Sequence, residues 1–216
     1  MSCSLHLPAV IATWDDGEVK ILVKDQAGLL HLPEKVIEDA KLKPEAYLDK
    51  LLQGLTTNQS RIYYTHLPVI TEESIPAEIK AHAPYLVLCP QDVFRAPGYT
   101  LISFNSALDK AVGLDPLHDM LLAAQQTLTN LIGTSTACLN MLPTFFTTVD
   151  IHRVHNTVLG GEVNRMTLRK RFVDTNIIQS TDVRVAVKAG RQPKEMYATI
   201  DHLHIFGAML SVAESS

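Results

Sequence analysis

Cysteine is scarce: Cys3, Cys89 and Cys138 are the only three in 216 residues, and no two of them form a C-x-x-C pair. That excludes a zinc-finger pattern and a disulfide framework, and it favours a reducing, cytoplasmic setting. No apolar run approaches the roughly 18 residues of a membrane span. The N-terminus lacks the charged-then-apolar layout of a signal peptide. Gly-rich phosphate loops of Walker or Rossmann type are absent, as are Ser-His-Asp and Cys-His nucleophile signatures. There is no internal repeat and no low-complexity linker. Positive charge is also short, since the net charge is −4, which taken alone argues against nucleic acid.

The distribution of that charge reverses the argument. Residues 144–200 hold nine Lys/Arg against five Asp/Glu, a balance of +4, and the remainder holds ten against eighteen, a balance of −8. An acidic domain joined to a basic one is the expectation, because phosphate binding depends on the local field. With 46% hydrophobic and 19% charged residues, the chain belongs to the ordered proteins and is long enough to bury a core.

The basic stretch runs from Pro143 to Tyr197. Thr147 or Thr148 can cap a helix there, with Asp150 at its positive end, and Ile151, Val154, Val158 and Leu159 recur at helical spacing. Gly160-Gly161 ends that helix. Asn164 can cap a second one, in which Leu168 and Phe172 face inward and Arg165, Arg169, Lys170 and Arg171 face solvent. Val183, Val185 and Val187 then alternate with Arg184, Ala186 and Lys188 as a half-buried strand. Ala189-Gly190 and Gln192-Pro193 turn with Arg191 at the tip, and Met196 to Ile200 return. A helix, a short turn, a cationic helix and a hairpin are the parts of a winged helix-turn-helix. The alternative for any cationic helix is a merely solvated face.

The run LPTFFTTVDIHRVHNTVLGGEVNRMTLRKRF, followed by GRQPKEMY, resembles the C-terminal winged helix of the Nudix-related transcriptional regulators, a family best known for controlling NAD metabolism. The match rests on Leu142-Pro143, Leu159-Gly160, Arg169-Lys170-Arg171, Gly190-Arg191, Pro193 and Tyr197. Gln192 departs from the commoner pattern, in which proline directly follows the arginine.

Upstream, Leu7 to Thr13 and Glu18 to Val23 flank Asp15-Asp16-Gly17 as a hairpin. Leu32-Pro33 follows, and a helix is expected from Pro44 to Leu52, with Gly54 as its stop. Strand, strand, Leu-Pro, loop, helix and Gly-Leu is the order of the Nudix hydrolase core. In that family the helix carries the metal-binding R-E-x-x-E-E-x-G motif. Alignment from Gly54-Leu55 puts Tyr47 and Leu48 in place of Arg-Glu, and Leu51 and Leu52 in place of Glu-Glu. Glu34-Lys35 stands where a glycine pair is usual. Pyrophosphate cleavage needs oxygen ligands for a hard Mg²⁺ or Mn²⁺ ion, and leucine supplies none. The resemblance therefore implies a Nudix fold without catalysis.

Further strands are expected within Arg61–Ile70, Pro84–Cys89 and Tyr99–Phe104, with Thr71 to Pro84 as an acidic loop. A long helix is expected from Asp115 to Ile132, stopped by Gly133; in the family a segment like Leu114 to Asp119 opens the helix joining the domains. His152 with His155, and His202 with His204, have spacings that suit a metal, but no third ligand sits at a diagnostic spacing, and structural roles are favoured.

The expected fold is α+β: a Nudix-like α/β/α sandwich with a mixed sheet in residues 1–112, then a linking helix and winged helix-turn-helix in residues 113–216. The resemblance implies a ligand-responsive repressor that binds a double-stranded DNA operator as a homodimer. Its effector would be ADP-ribose or another NAD-related nucleotide, or in other branches a sugar, and no cofactor is expected. Candidate DNA contacts are Arg165, Thr167, Arg169, Lys170, Arg171, Lys188, Arg191 and Lys194. Two rival readings are a Nudix hydrolase with a displaced metal site at Glu34, Glu38, Asp39 and Glu45, and a winged helix that docks another protein. Residues 203–216 are expected either to finish the core or to pack on a partner subunit.

Overall fold

The computed structural model describes residues 2–37, 43–57, 61–74, 78–185, 194–199, 203–206, 209–210 and 212–213, and the side chains of most of these. The first strand, β1 (Ser2–Asp15), is the hub of the N-terminal half. A tight turn with Asp16 and Gly17 at φ +51° and +86° returns the chain as β2 (Glu18–Gln26). Positive φ at both central residues matches the twist of a two-residue hairpin, which explains why Asp-Gly stands there. β3 (Leu29–His31) pairs with the end of β2, and β4 (Glu34–Val36) folds back on the N-terminal half of β1. Next come α1 (Pro44–Leu55), β5 (Tyr63–His66), β6 (Ile70–Ser74), β7 (Glu78–His82), β8 (Tyr85–Leu88) and β9 (Thr100–Ser103). β7 and β8 run parallel to β1 and the other pairings are antiparallel, giving a mixed nine-stranded sheet.

Successive residues of a strand point to opposite faces, so the apolar run of β1 supplies two cores. Leu7, Ala9 and Ile11 pack with Tyr47, Leu48 and Leu52 of α1. Val10, Ala12 and Trp14 pack on the other side with residues of α2 (Phe104–Ala111) and α3 (Leu117–Thr134). This is the α/β/α sandwich expected from the sequence. The second cluster continues without a break into Ile151, Leu168 and Phe172 of the C-terminal half.

That half contains α3, α4 (Thr148–Leu159), β10 (Glu162–Val163), α5 (Arg165–Phe172), a hairpin of β11 (Ile178–Val185) and β12 (Lys194–Thr199), and β13 (Val212–Ala213), which pairs with β10. Three helices and a hairpin make a winged helix.

Several expectations need correction. The acidic loop Thr71 to Pro84 is largely the hairpin β6–β7, with Glu72 opposite Lys80, so Glu72 and Glu73 lie on the edge strand β6 and Glu78 on β7, between β6 and β1. The strand expected in Arg61–Ile70 is β5 alone, which ends before Leu67-Pro68, and Ile70 already opens β6. α1 runs past Gly54 because Leu55 adds a buried residue to its apolar stripe. α2, capped by the Ser103 hydroxyl, follows β9 where only a strand was expected. Gly133 does not stop α3; it lies in the last turn, where an added Cβ would sit 3.0 Å from Met209 Cε. Val183 is 56% exposed, so the wing strand is not half-buried there. Its register shifts between Ser180 and Arg184, around Asp182 at φ +60°, and such a bulge turns side chains away from a regular alternation.

Candidate nucleic-acid interface

Helix α5 is held by local chemistry before and at its start. Thr147 Oγ1 accepts from the Asp150 amide, and the Asp150 carboxylate accepts from the Thr147 amide at 2.8 Å, a complete capping box on α4. Gly160, at φ +71°, closes α4 in the left-handed conformation. The Asn164 side chain then accepts from the amides of Met166 and Thr167 and starts α5 only four residues later. Leu168 and Phe172 are buried, anchoring α5 to α4 and α3.

This anchoring leaves Arg165, Thr167, Arg169 and Lys170 exposed. Arg169 has one distant carboxylate neighbour, Asp174 at 3.9 Å, with both side chains more than half exposed, so the pair contributes little and leaves the guanidinium available. Arg171 departs from the solvent-facing expectation. Its guanidinium donates to the Gly133 carbonyl at 3.1 Å and stacks 4.7 Å over the Phe206 ring, and burial lowers its pKa from the ordinary arginine value. Phe206 in turn meets Phe172 edge to face at 5.7 Å. Arg171 therefore braces α5 against α3 and the C-terminal segment. Lys188 and Arg191 lie outside the described residues, as do Gln192 and Pro193; Lys194 opens β12, its side chain undescribed.

The two histidines of α4 are structural. His152 Nε2 lies 2.9 Å from the Val163 carbonyl, and His155 Nδ1 lies 2.7 Å from the Ile151 carbonyl, both rings buried. Burial, partly opposed by the Ile151 carbonyl, pulls the His155 pKa down to about 4. Of the second pair, His202 lies outside the described residues and the His204 ring meets Phe206 edge to face. The C-terminal segment finishes the core: Phe206 N and Leu210 N donate to the carbonyls of Thr134 and Gly133, and Leu210 is buried. Between α4 and α5 lies a groove of about 280 Å³ with Ile151, Leu168 and Phe172 on its floor and Arg165 and Arg169 at its rim.

In the N-terminal half, Leu48 and Leu52 are 0% and 2% exposed inside the core against β1 and β8. That face of α1 is apolar packing, with Leu51 partly buried beside it. Glu45 is beside His66 at 3.3 Å and Glu34 beside His6 at 3.5 Å; Glu38 and Asp39 lie outside the described residues. Among the described residues, the one set of three donors within 4.8 Å of each other is Asp115, His118 and Asp119, at the start of α3. Their i, i+3, i+4 spacing is visible in the sequence. Arg61 has no such local signal, yet it ties the halves together: its guanidinium donates to the Leu139 and Leu142 carbonyls at 2.8 and 2.9 Å and to Thr144 Oγ1 at 3.4 Å.

No family profile matches the chain. Among curated proteins it is similar to the ADPR responsive transcriptional repressor NtrR of Acinetobacter baylyi, 25% identical over 93 residues, which are 42% of this chain and 36% of that relative. The match thus spans about a third of the relative's length. Among solved structures it is similar to Shewanella oneidensis NrtR complexed with a 27mer DNA, with a TM-score of 0.82, 18% identity and coverage of 96% of this chain and 99% of that one. Without DNA the same protein gives a TM-score of 0.77 at 17% identity, covering 95% and 99%. A MutT/nudix family protein from Enterococcus faecalis gives 0.65 at 15% identity, covering 93% and 89%. The fold of this chain is thus similar to that of NrtR, a mixed-sheet sandwich joined through one long helix to a winged helix.

Proposed function

We propose that this chain is a ligand-responsive transcriptional repressor, with residues 1–112 as a catalytically silent sensor and residues 113–216 as the linking helix and DNA-binding domain. The observation that carries the reading is α5: a capped, internally anchored helix whose exposed side chains include Arg165, Arg169 and Lys170, in a chain that follows a DNA-bound NrtR fold over 96% of its length. Such a helix enters the major groove with its N-terminal residues on base edges. Arg165, Thr167, Arg169 and Lys170 contact bases and phosphates, and the wing adds Lys188, Arg191 and Lys194. Two copies on a palindromic operator set their reading helices about one DNA turn apart. The NtrR relative is named as ADPR-responsive, and ADP-ribose is the effector we assign. Ligand binding shifts DNA affinity only by preferring one of two forms.

Buried leucines at the Nudix metal positions support a regulator over a hydrolase. Among the described residues no helix is long and apolar enough to cross a membrane, and the work of a repressor puts it in the cytoplasm with the DNA.

Fluorescence polarisation on duplexes tiled across the chain's own upstream region, in stepped salt, tests the reading. Site-selective binding is expected, with log affinity falling by about 0.9 per contacted phosphate for each log unit of salt. Arg169→Ala should weaken it by about tenfold or more, and ADP-ribose should shift it. Equal, feeble binding to every duplex, unchanged in the variant, rejects the reading and favours protein docking.

A further inference from the structure

The packing of α4 against α5 leaves one apolar side chain outside the core. Of the apolar residues in these two helices Met166 alone is exposed, at 62%, while the others are buried or half-buried. Apolar space lies within its reach, because Met166 lines the groove floored by Ile151, Leu168 and Phe172. It stays outside all the same. A single exposed apolar residue is ordinary on a protein surface, so its place on the helix decides what it means.

At 3.6 residues per turn, successive side chains stand about 100° apart around a helix axis. Leu168 and Phe172 are buried and mark the inner face of α5. Lys170 then stands about opposite their midpoint, with Met166 about 40° to one side and Thr167 about 60° to the other, and all three are exposed. Arg169 and Arg165 fall about 100° and 140° from that outermost line, toward α4, where they form the rim of the groove. The outermost face of α5 thus carries an ammonium, a hydroxyl and a thioether, flanked by guanidinium groups. Met166 is also the second residue of α5, and the N-terminal residues of such a helix are those that reach base edges.

In the major groove each base pair presents donors and acceptors, and the thymine C5 methyl group is the one apolar feature among them. A thioether donates nothing and accepts weakly. Against a cytosine amino group or a purine edge, Met166 would leave polar atoms without partners, which costs affinity. Against a methyl group it strands nothing polar and takes apolar surface out of water. Its unbranched, polarisable chain adapts to the distance at which the helix docks.

We infer that Met166 is a specificity-determining residue that reads the C5 methyl group of one thymine in each half of a palindromic operator. This role rests on the proposed entry of α5 into the major groove, and it adds the base pair chosen at one position. Lys170 and Thr167 beside it supply the polar contacts of the same face.

The test uses the full chain and the duplex it selects from tiles across its own upstream region. Each thymine of that duplex is replaced singly by deoxyuridine, which keeps every hydrogen-bonding atom and lacks only the methyl group, and affinity is read by fluorescence polarisation. At one thymine of each half-site the parent is expected to lose about fourfold, the worth of one methyl group taken out of water. Met166→Ala should bind the unmodified duplex more weakly by at least that factor and be indifferent to deoxyuridine at those two positions. Its melting temperature should match the parent's, since the side chain is exposed. Absence of site-selective binding in the parent overturns this role together with the reading of α5 it rests on. Site-selective binding with no thymine sensitive to deoxyuridine, or a sensitivity that survives undiminished in Met166→Ala, overturns the role of Met166 and leaves that reading standing.

Discussion

His155 shows how one side chain beside α5 can make the fold sensitive to pH. Its ring is fully buried, meets Phe172 edge to face at 5.7 Å, and has a pKa held near 4, chiefly by burial. The folded protein therefore keeps it neutral, whereas the unfolded chain protonates it with the ordinary value of about 6.5. Between those values the unfolded state binds more protons. The stabilising contribution is thus complete above about pH 6.5 and is lost as pH falls through about 4. Its full size is on the order of 3 kcal/mol, at about 1.36 kcal/mol for each pH unit separating the two values. Urea unfolding at pH 7 and pH 4.5 should show this loss, and His155→Leu should flatten it. An equal loss in the variant would assign the acid sensitivity to other groups. Such burial is not legible in the sequence, because helical spacing alone does not separate a histidine beside an apolar stripe from one inside it. The burial of Leu48 and Leu52 was legible for the opposite reason: an apolar side chain recurring at helical spacing has only packing to do.

At the scale of elements, what the sequence revealed was what is held together locally. Thr147 with Asp150, Gly160 and Asn164 act within a few residues of themselves, so α4 and α5 were placed almost to the residue. The hairpin at Asp16-Gly17 was legible on the same grounds. α2 escaped because eight residues carry too short a pattern, and β6–β7 escaped because short strands bearing glutamates look like loop. Arg171 was misplaced because its partner, Phe206, lies 35 positions further on, beyond any local pattern. That contact sets the tilt of α5. Phe206→Ala should remove the stack with Arg171 and the edge contact with Phe172, costing about 1–2 kcal/mol in urea unfolding. Arg169→Ala, with an exposed side chain, should stay within about 0.5 kcal/mol of the parent. If Phe206→Ala is equally silent, the C-terminal segment does not brace α5.

Across the whole molecule, the proposed function requires a ligand in the sandwich to act on DNA through groups that touch both halves. Trp14 N donates to the Met141 carbonyl at 3.3 Å, and the shared apolar cluster runs along α3, but Arg61 is the more directional link. From just before β5 it reaches two carbonyls and a hydroxyl in the segment leading to the cap of α4. Burial lowers its pKa from the ordinary value, with Asp92 opposing, so its charge is partly desolvated and its acceptors matter more than they would in water. Arg61→Ala leaves at least two carbonyls short of a donor and should cost on the order of 2 kcal/mol. The more telling quantity is the ratio of DNA dissociation constants with and without ADP-ribose, since coupling between sites is a free energy that a broken link reduces. With the link gone, each half should still bind its own ligand while that ratio moves toward one. Arg61→Lys keeps the charge but not the fork that spans three acceptors, so it should fall between the parent and Arg61→Ala. A ratio unchanged in both variants would put the coupling in the apolar seam along α3 instead.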